Sequence, residues 1–289
     1  MELRNKYIEK SKERNNYETV EINGIKKIYK DDKKIRIGTY NIHYWTDIWE
    51  KENFEGIREE IEKINADVMC LQEVSFGKTV YNKKGEKEIE EIFEKMGYLY
   101  KCENRCCKYL GSDYGNIILS KLEIEEKKQG TLYKGNVKVR RGYSLIKLKN
   151  IDLQICCTHL DVFDISGKIR NIQIAELCNI LELPQNNIIL VGDFNCLNPS
   201  DYSSDQKNYL SSLDARYIPD FSSLSQLECF FKTCWQFSNL SPPLFTSWSN
   251  HTIDFIFIPI NFPYNISPSI SLSSNSDHFP LFCDINLTN

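Results

Sequence analysis

NIILVGDFN, residues 187–195, is the stretch on which the reading of the fold turns. Ile188 to Val191 is an unbroken apolar run of strand length, which reads as a strand buried on both faces. It closes on Asp193 and Asn195, polar residues at the point where a rigid strand meets a loop. The same grammar recurs on either side. Toward the N-terminus, DLQICCTHL (152–160) closes on His159, DVMCLQEV (67–74) on Glu73, and IRIGTYNI (35–42) on Asn41. Toward the C-terminus, TIDFIFIPI (252–260) opens on Asp254, and Asp277–His278 precede FPLFCDI (279–285).

Helical periodicity fills the spaces between. NFEGIREEIEKIN places Phe54, Ile57, Ile61 and Ile64 on one face of an amphipathic helix. KEIEEIFEKM (87–96) is a second helix, stopped by Gly97. SGKIRNIQIAELCNILEL (166–183) is a third, with Ser166 as its expected N-cap and Ile169, Ile172, Leu177 and Ile180 as its expected buried face. YLYKCEN, NIILSK and GYSLIKL add further strands. Short strands with a few helices imply an α/β layered domain, with two mixed sheets packed face to face and helices outside. Residues 1 to 33 are polar and weakly patterned and are expected to form a leader. Residues 34–289 contain no linker and are expected to form one domain.

Composition narrows the function classes. The 289 residues are 41% hydrophobic and 26% charged, enough apolar material for one large core and unlike a disordered chain. There is no apolar run near the roughly 18 residues of a membrane helix and no export-type leader, so an intracellular protein is expected. The eleven cysteines, with adjacent pairs at 106–107 and 156–157 and no CxxC, read as reduced thiols. Structural zinc on Cys102, Cys106 and Cys107 is the alternative. The sequons at Asn239, Asn250, Asn265 and Asn286 then carry no meaning. A net charge of −4 gives no global support for a nucleic-acid binder. A local basic rim is left to Lys26–Lys34, Lys138, Arg140 and Arg141.

Taken singly, Asn41 or Asn195 is a turn residue, Glu73 a surface charge and Asp277–His278 a loop pair. Asp254 between Ile253 and Phe255 is different, because a carboxylate inside an apolar strand needs a partner. Together, TYNIH, LQEV, THLD, GDFN, TIDFIF and SDHFPL, in that order over residues 35–285, resemble the endonuclease/exonuclease/phosphatase superfamily with the DNase I-like fold. The resemblance implies a four-layer α/β sandwich and a Mg²⁺-dependent (or Mn²⁺-dependent) phosphoester hydrolase that attacks phosphorus with water. It implies Glu73, Asn41 and Asp277 as metal ligands, directly or through water. Asp193 would activate the water, Asn195 would assist, and His278, oriented by Asp254, would contact the phosphate with His159. His43, Asn116 and Arg141 are lesser candidates near the phosphate.

Within the family, a histidine in THLD is similar to the tyrosyl-DNA, deadenylase and lipid-cleaving branches and unlike abasic-site endonucleases. A nucleic-acid phosphodiester is the expected substrate, with the aromatics of residues 200–250 as possible stacking surfaces or simple packing. A phospholipid or inositol-phosphate esterase is the alternative, and an inactive binding member is a further one. A monomer is expected.

Overall fold

The computed structural model describes residues 34–205, 207–208, 220–243, 245–248 and 251–288. The expected leader, 1–33, lies outside the described residues, as do Tyr209, Tyr217, Asn250 and, apart from Lys34, the expected basic stretch Lys26–Lys34.

Two six-stranded sheets carry the chain. In the first, β11 (Asn265–Ile270), β12 (Leu281–Asn286), β1 (Lys34–Asn41), β2 (Val68–Ser75), β4 (Ser112–Ser120) and β3 (Tyr100–Tyr109) lie side by side in that order. In the second the order is β5 (Ile124–Thr131), β6 (Gly142–Leu148), β7 (Gln154–His159), β8 (Ile188–Asp193), β10 (Asp254–Pro259) and β9 (Phe231–Thr233). Each sheet holds one parallel pair, β1 with β2 and β7 with β8, and is otherwise antiparallel. The expected mixed sheets are therefore present.

Side-chain alternation sorts the core into layers. Ile35, Ile37, Val68 and Cys70 face Ile155, Ile189, Val191, Ile256 and Ile258 between the sheets. Met69 and Leu71, one residue out of phase, pack on the opposite face with Ile57, Ile61 and Ile64 of α1 (Phe54–Ile64) and with Ile89 and Phe93 of α2 (Glu86–Lys95). Leu190, Phe255 and Phe257 do the same against Ile174 and Leu177 of α3 (Lys168–Ile180). Strands sandwiched in this way bury apolar residues on both faces, which is why Ile188–Val191 of β8 reads as a continuous run.

The third helix departs from expectation. Its buried face is Arg170, Gln173, Ile174 and Leu177, while Ile172 is exposed. Polar side chains replace the apolar stripe because they have partners: Arg170 meets Asp220 and the carbonyl of Asp161, and Gln173 donates to the carbonyl of Tyr133. Nor does Ser166 occupy the N-cap, which is Gly167. The Asp164 carboxylate accepts from the N–H of Ile169 at 2.7 Å and takes the capping role. Strand β5, IEEKKQGT, is an edge strand with its side chains largely in solvent, and so carries no apolar signal.

All eleven cysteines are free thiols. Cys102 and Cys106 are buried, and Cys106 Sγ approaches Asn104 Oδ1 at 3.0 Å. Among the described residues no cysteine belongs to a metal-holding cluster. No helix among them is long and apolar enough to cross a membrane. Tyr202, Phe231 and Trp235 of the 200–250 segment are buried, and Phe221, Phe230 and Trp248 pack against the cores, so the described aromatics here serve packing.

Candidate active site

The parallel pairs set the site. Because β1 and β2 run together, as do β7 and β8, their C-terminal ends fall on one edge of the sandwich. Asn41, Glu73, His159 and Asp193 come from those ends. Strand β10 is antiparallel to β8 and places Asp254 opposite Asp193. The segment before β12, antiparallel to β1, brings Asp277 and His278 to the same edge.

Two local distortions aim side chains inward. The β2–β4 register slips between Leu71 and Val74, and Glu73 lies inside this bulge at φ +57°. A non-glycine residue there is held by its surroundings and turned off the strand's alternation. At Gly192, φ is +140° and a Cβ would sit 1.9 Å from the Thr158 carbonyl oxygen. Only glycine lets β8 pass this close to β7 just before Asp193.

Asp193 is the hub. Asn41 Nδ2 donates to its Oδ2 at 2.9 Å, linking the two sheets, and the Asn195 N–H donates to its Oδ1 at 2.9 Å. His159 Nε2 and His278 Nε2 stand 3.4 Å and 3.8 Å from Oδ2. Burial pushes the Asp193 carboxyl up to about 7. The nearby Asp254 charge adds to this, while His278, Asn41 and the Asn195 N–H oppose it.

The two imidazoles are held in opposite states. His278 Nδ1 lies 2.8 Å from Asp254 Oδ2, which also accepts from Thr246 Oγ1 at 2.6 Å. Burial disfavours the His278 imidazolium, but the carboxylates of Asp254, Asp277 and Asp193 outweigh it and hold the pKa well above the usual value. His159 is pushed well below its usual value by burial, by Arg141 and by His278, so it is neutral. Arg141 Nη1 lies 3.0 Å from His159 Nδ1. Since a guanidinium only donates, Nδ1 must accept and the ring proton is assigned to Nε2, on the side of Asp193 and Glu73. Asn195 Nδ2 donates to the carbonyl of Leu160 and lies 3.1 Å from His159 Nε2.

Glu73 and Asp277 flank this set. Glu73 Oε1 is 3.9 Å from His159 Nε2, and Asp277 Oδ1 is 3.9 Å from His278 Nε2 and 3.7 Å from His43 Nδ1. The Glu73 side chain is only 16% exposed yet makes no hydrogen bond to a described residue. A largely buried carboxylate left in this way suits a hard cation. Among the described residues, a different group brings metal-type atoms together: ligand atoms of Asp193, Asp254 and His278 lie within 4.8 Å of one another. There, however, Asp254 and His278 Nδ1 already satisfy each other, which describes a hydrogen-bonded dyad beside Asp193.

Asn116 is elsewhere engaged, donating to the Gly142 carbonyl. Arg141 is more central than the sequence suggested. It is buried, and no carboxylate lies within ion-pair distance of it among the described residues. Thr246 and Ser276, which donates to the Asn41 carbonyl at 2.8 Å, were not singled out in sequence; hydroxyls in Ser-rich loops carry no signal of their own.

Residues 38–278 match the model of the Endonuclease/Exonuclease/phosphatase family. The chain belongs to that family. Family members are phosphoesterases, and the expected DNase I-like sandwich is the fold they share. Among solved structures, an endonuclease/exonuclease/phosphatase from Beutenbergia cavernae is 16% identical, with 89% of this chain and 72% of that chain covered at a TM-score of 0.64. The human nocturnin catalytic domain, solved with a sulfate anion, is 20% identical, with coverage of 88% and 95% and a TM-score of 0.58. Caenorhabditis elegans TDP2 is 16% identical, with coverage of 88% and 98% and a TM-score of 0.56. These likenesses carry the fold. No curated protein sequence matches the chain.

Proposed function

We propose that this family member hydrolyses a phosphodiester of a nucleic acid or nucleotide by direct attack of water, with Mg²⁺ or Mn²⁺ as cofactor. The observation that carries the reading is Asp193: a buried carboxylate pushed up to about 7, set among Asn41, His159, Asn195 and His278. A base with its pKa near neutrality accepts a proton from water at the moment of attack. Asn41 and the Asn195 N–H fix its two oxygens, so the lone pairs that remain point at one place.

Glu73, with Asn41 and Asp277 directly or through water, would hold the cation, which supplies charge neutralisation at the phosphoryl and leaving oxygens. His278, kept protonated by Asp254, donates from Nε2 to a phosphoryl oxygen and stabilises the added charge of the pentavalent state. Neutral His159 donates from Nε2 to the same group. Arg141, a buried cation without a carboxylate partner among the described residues, gains its counter-charge when the phosphate arrives. No covalent intermediate is needed.

The test is hydrolysis of bis(p-nitrophenyl) phosphate with Mg²⁺ or Mn²⁺, with EDTA, and with the Asp193→Ala protein. Turnover that needs the cation and falls by about 10²-fold or more on losing Asp193 supports the reading. Turnover indifferent to EDTA, or unchanged in Asp193→Ala, refutes it.

A further inference from the structure

Beside Glu73 the chain builds an aromatic wall that the chemistry above does not use. His43 and Tyr44 follow β1, with ring centroids 4.3 Å apart. From Tyr44 the wall continues to Tyr81 at 5.7 Å and to Tyr109 at 5.8 Å, and from Tyr109 to Tyr114 at 5.2 Å. Its two ends meet the catalytic set: His43 Nδ1 lies 3.7 Å from Asp277, and Tyr114 Oη accepts from Arg141, which in turn holds His159. The Glu73 carboxylate, after burial, raises the phenols of Tyr44, Tyr109 and Tyr114, which places all three about that carboxylate.

Three features distinguish this wall from core packing. Tyr44 and Tyr81 are half-buried and Tyr109 is 37% exposed, whereas core rings such as Trp45 are inaccessible. The backbone holds the rings of the wall in place. Three successive residues, His43, Tyr44 and Trp45, have positive φ, pinned by Trp45 Nε1 donating to the Ser75 carbonyl at 2.9 Å. The Tyr81 loop is pinned by buried Asn82, whose Nδ2 donates to the carbonyls of Gly77 and Lys84. Strained backbone clusters at ligand-binding sites, and here it holds a half-buried ring at the edge of the site.

Charge near the wall narrows what it receives. Arg105 and Lys108, on the β3–β4 hairpin, are paired with Glu86, Glu103 and Asp113. Further free cations are therefore not concentrated there, as a polyphosphorylated sugar would require. On the β5–β6 loop that leads into Arg141, Lys138 and Arg140 are exposed with no ion-pair partner among the described residues. The wall offers partly exposed rings, and the loop before Arg141 offers cations without an ion-pair partner among the described residues, the two kinds of contact a single-stranded nucleic acid makes through bases and backbone.

We infer that Tyr44, Tyr81 and Tyr109 form a stacking platform for a nucleobase of the substrate, adjacent to the scissile phosphate. This rests on the phosphodiesterase reading above and adds the group that the enzyme selects.

Two esters with one leaving group test it: thymidine 5′-(p-nitrophenyl phosphate), which carries a base, and methyl p-nitrophenyl phosphate, which does not. The readout is the ratio of their kcat/KM values. In Tyr109→Leu and Tyr81→Leu that ratio falls about tenfold, and in Tyr109→Phe it stays close to wild type, since the stacking face is retained. Equal losses on both esters, or no loss on either, overturn the proposal. So does a loss confined to sphingomyelin in vesicles, which would make the wall a bilayer contact. Hydrolysis of neither ester by wild type would count against the catalytic reading. The wall is then tested separately by oligothymidylate binding in EDTA: the proposal predicts a weakening of about tenfold in Tyr109→Leu and is refuted by equal affinities.

Discussion

Replacing Asp254 by asparagine keeps its shape while removing one buried negative charge from beside both His278 and Asp193. Asp254 Oδ2 is 2.8 Å from His278 Nδ1, and β10 sets the same residue opposite Asp193. Its charge therefore stabilises the His278 imidazolium and penalises ionisation of Asp193, raising both pKa values. Neutralising it lowers both. A hydrogen bond to a charged group contributes about 1.5–3 kcal/mol, which corresponds to about 1–2 pKa units at ~1.4 kcal/mol each. The alkaline limb of kcat/KM against pH, which reports loss of the His278 proton, should move toward acid by that amount. The acid limb, which reports protonation of Asp193, should move the same way by less, because burial is the larger cause there. At pH values above the wild-type alkaline limb the variant should thus lose about 10- to 100-fold in kcat/KM. The assay is a pH series at saturating Mg²⁺ on bis(p-nitrophenyl) phosphate, with circular dichroism to confirm the fold. Limbs that stay in place, or an alkaline limb that moves to higher pH, would refute the assignment of His278 as a cation held by Asp254.

Other outcomes follow from the same geometry. Asp193→Asn should lower kcat by about 10²–10⁴-fold. Without metal, wild-type Asp193 has its folded pKa near 7, above its unfolded value, so its contribution to stability is full at low pH and is lost as pH rises through about 7. The asparagine has no such loss, so the Tm of Asp193→Asn relative to wild type, both in EDTA, should be higher at pH 8 than at pH 5. Glu73→Gln should weaken Mn²⁺ binding, followed by electron paramagnetic resonance, by about tenfold or ~1.4 kcal/mol. Trp45→Ala removes a fully buried ring that packs on Phe54 at 4.6 Å, and should cost about 3–5 kcal/mol in urea unfolding.

Sequence carried the fold wherever burial was two-sided. IRIGTYNI, DVMCLQEV and NIILVGDFN place apolar residues on both faces because a helix covers one face of each sheet and the other sheet covers the second. It failed where partners replace hydrophobicity. Strand β5 is polar because its side chains face water, and the inner face of α3 is Arg170 and Gln173 because Asp220 and two carbonyl groups receive them. The site was legible for a related reason: a carboxylate or imidazole at the end of a buried strand stands out against its surroundings. Asp193, His159 and Asp254 were visible in this way, and the structure sets them in one cluster with Asn41, Asn195 and His278, joined by hydrogen bonds and by contacts of 3.4 Å and 3.8 Å. Thr246, Ser276 and the tyrosine wall were not visible. Their importance comes from contacts across 30 or more residues, such as Tyr44 with Tyr81 and Tyr109, or from one hydroxyl in a Ser-rich loop. Arg141, a lesser candidate in sequence, owes its place to the pairing of Gly142 with His159 across β6 and β7.

The stereochemical course at phosphorus tests water attack from Asp193 most directly. Hydrolysis of a chiral phosphorothioate diester in ¹⁸O-labelled water, with the absolute configuration of the labelled product determined, should give inversion and should stop in Asp193→Ala. Retention would require a covalent enzyme intermediate and would contradict a single displacement by water.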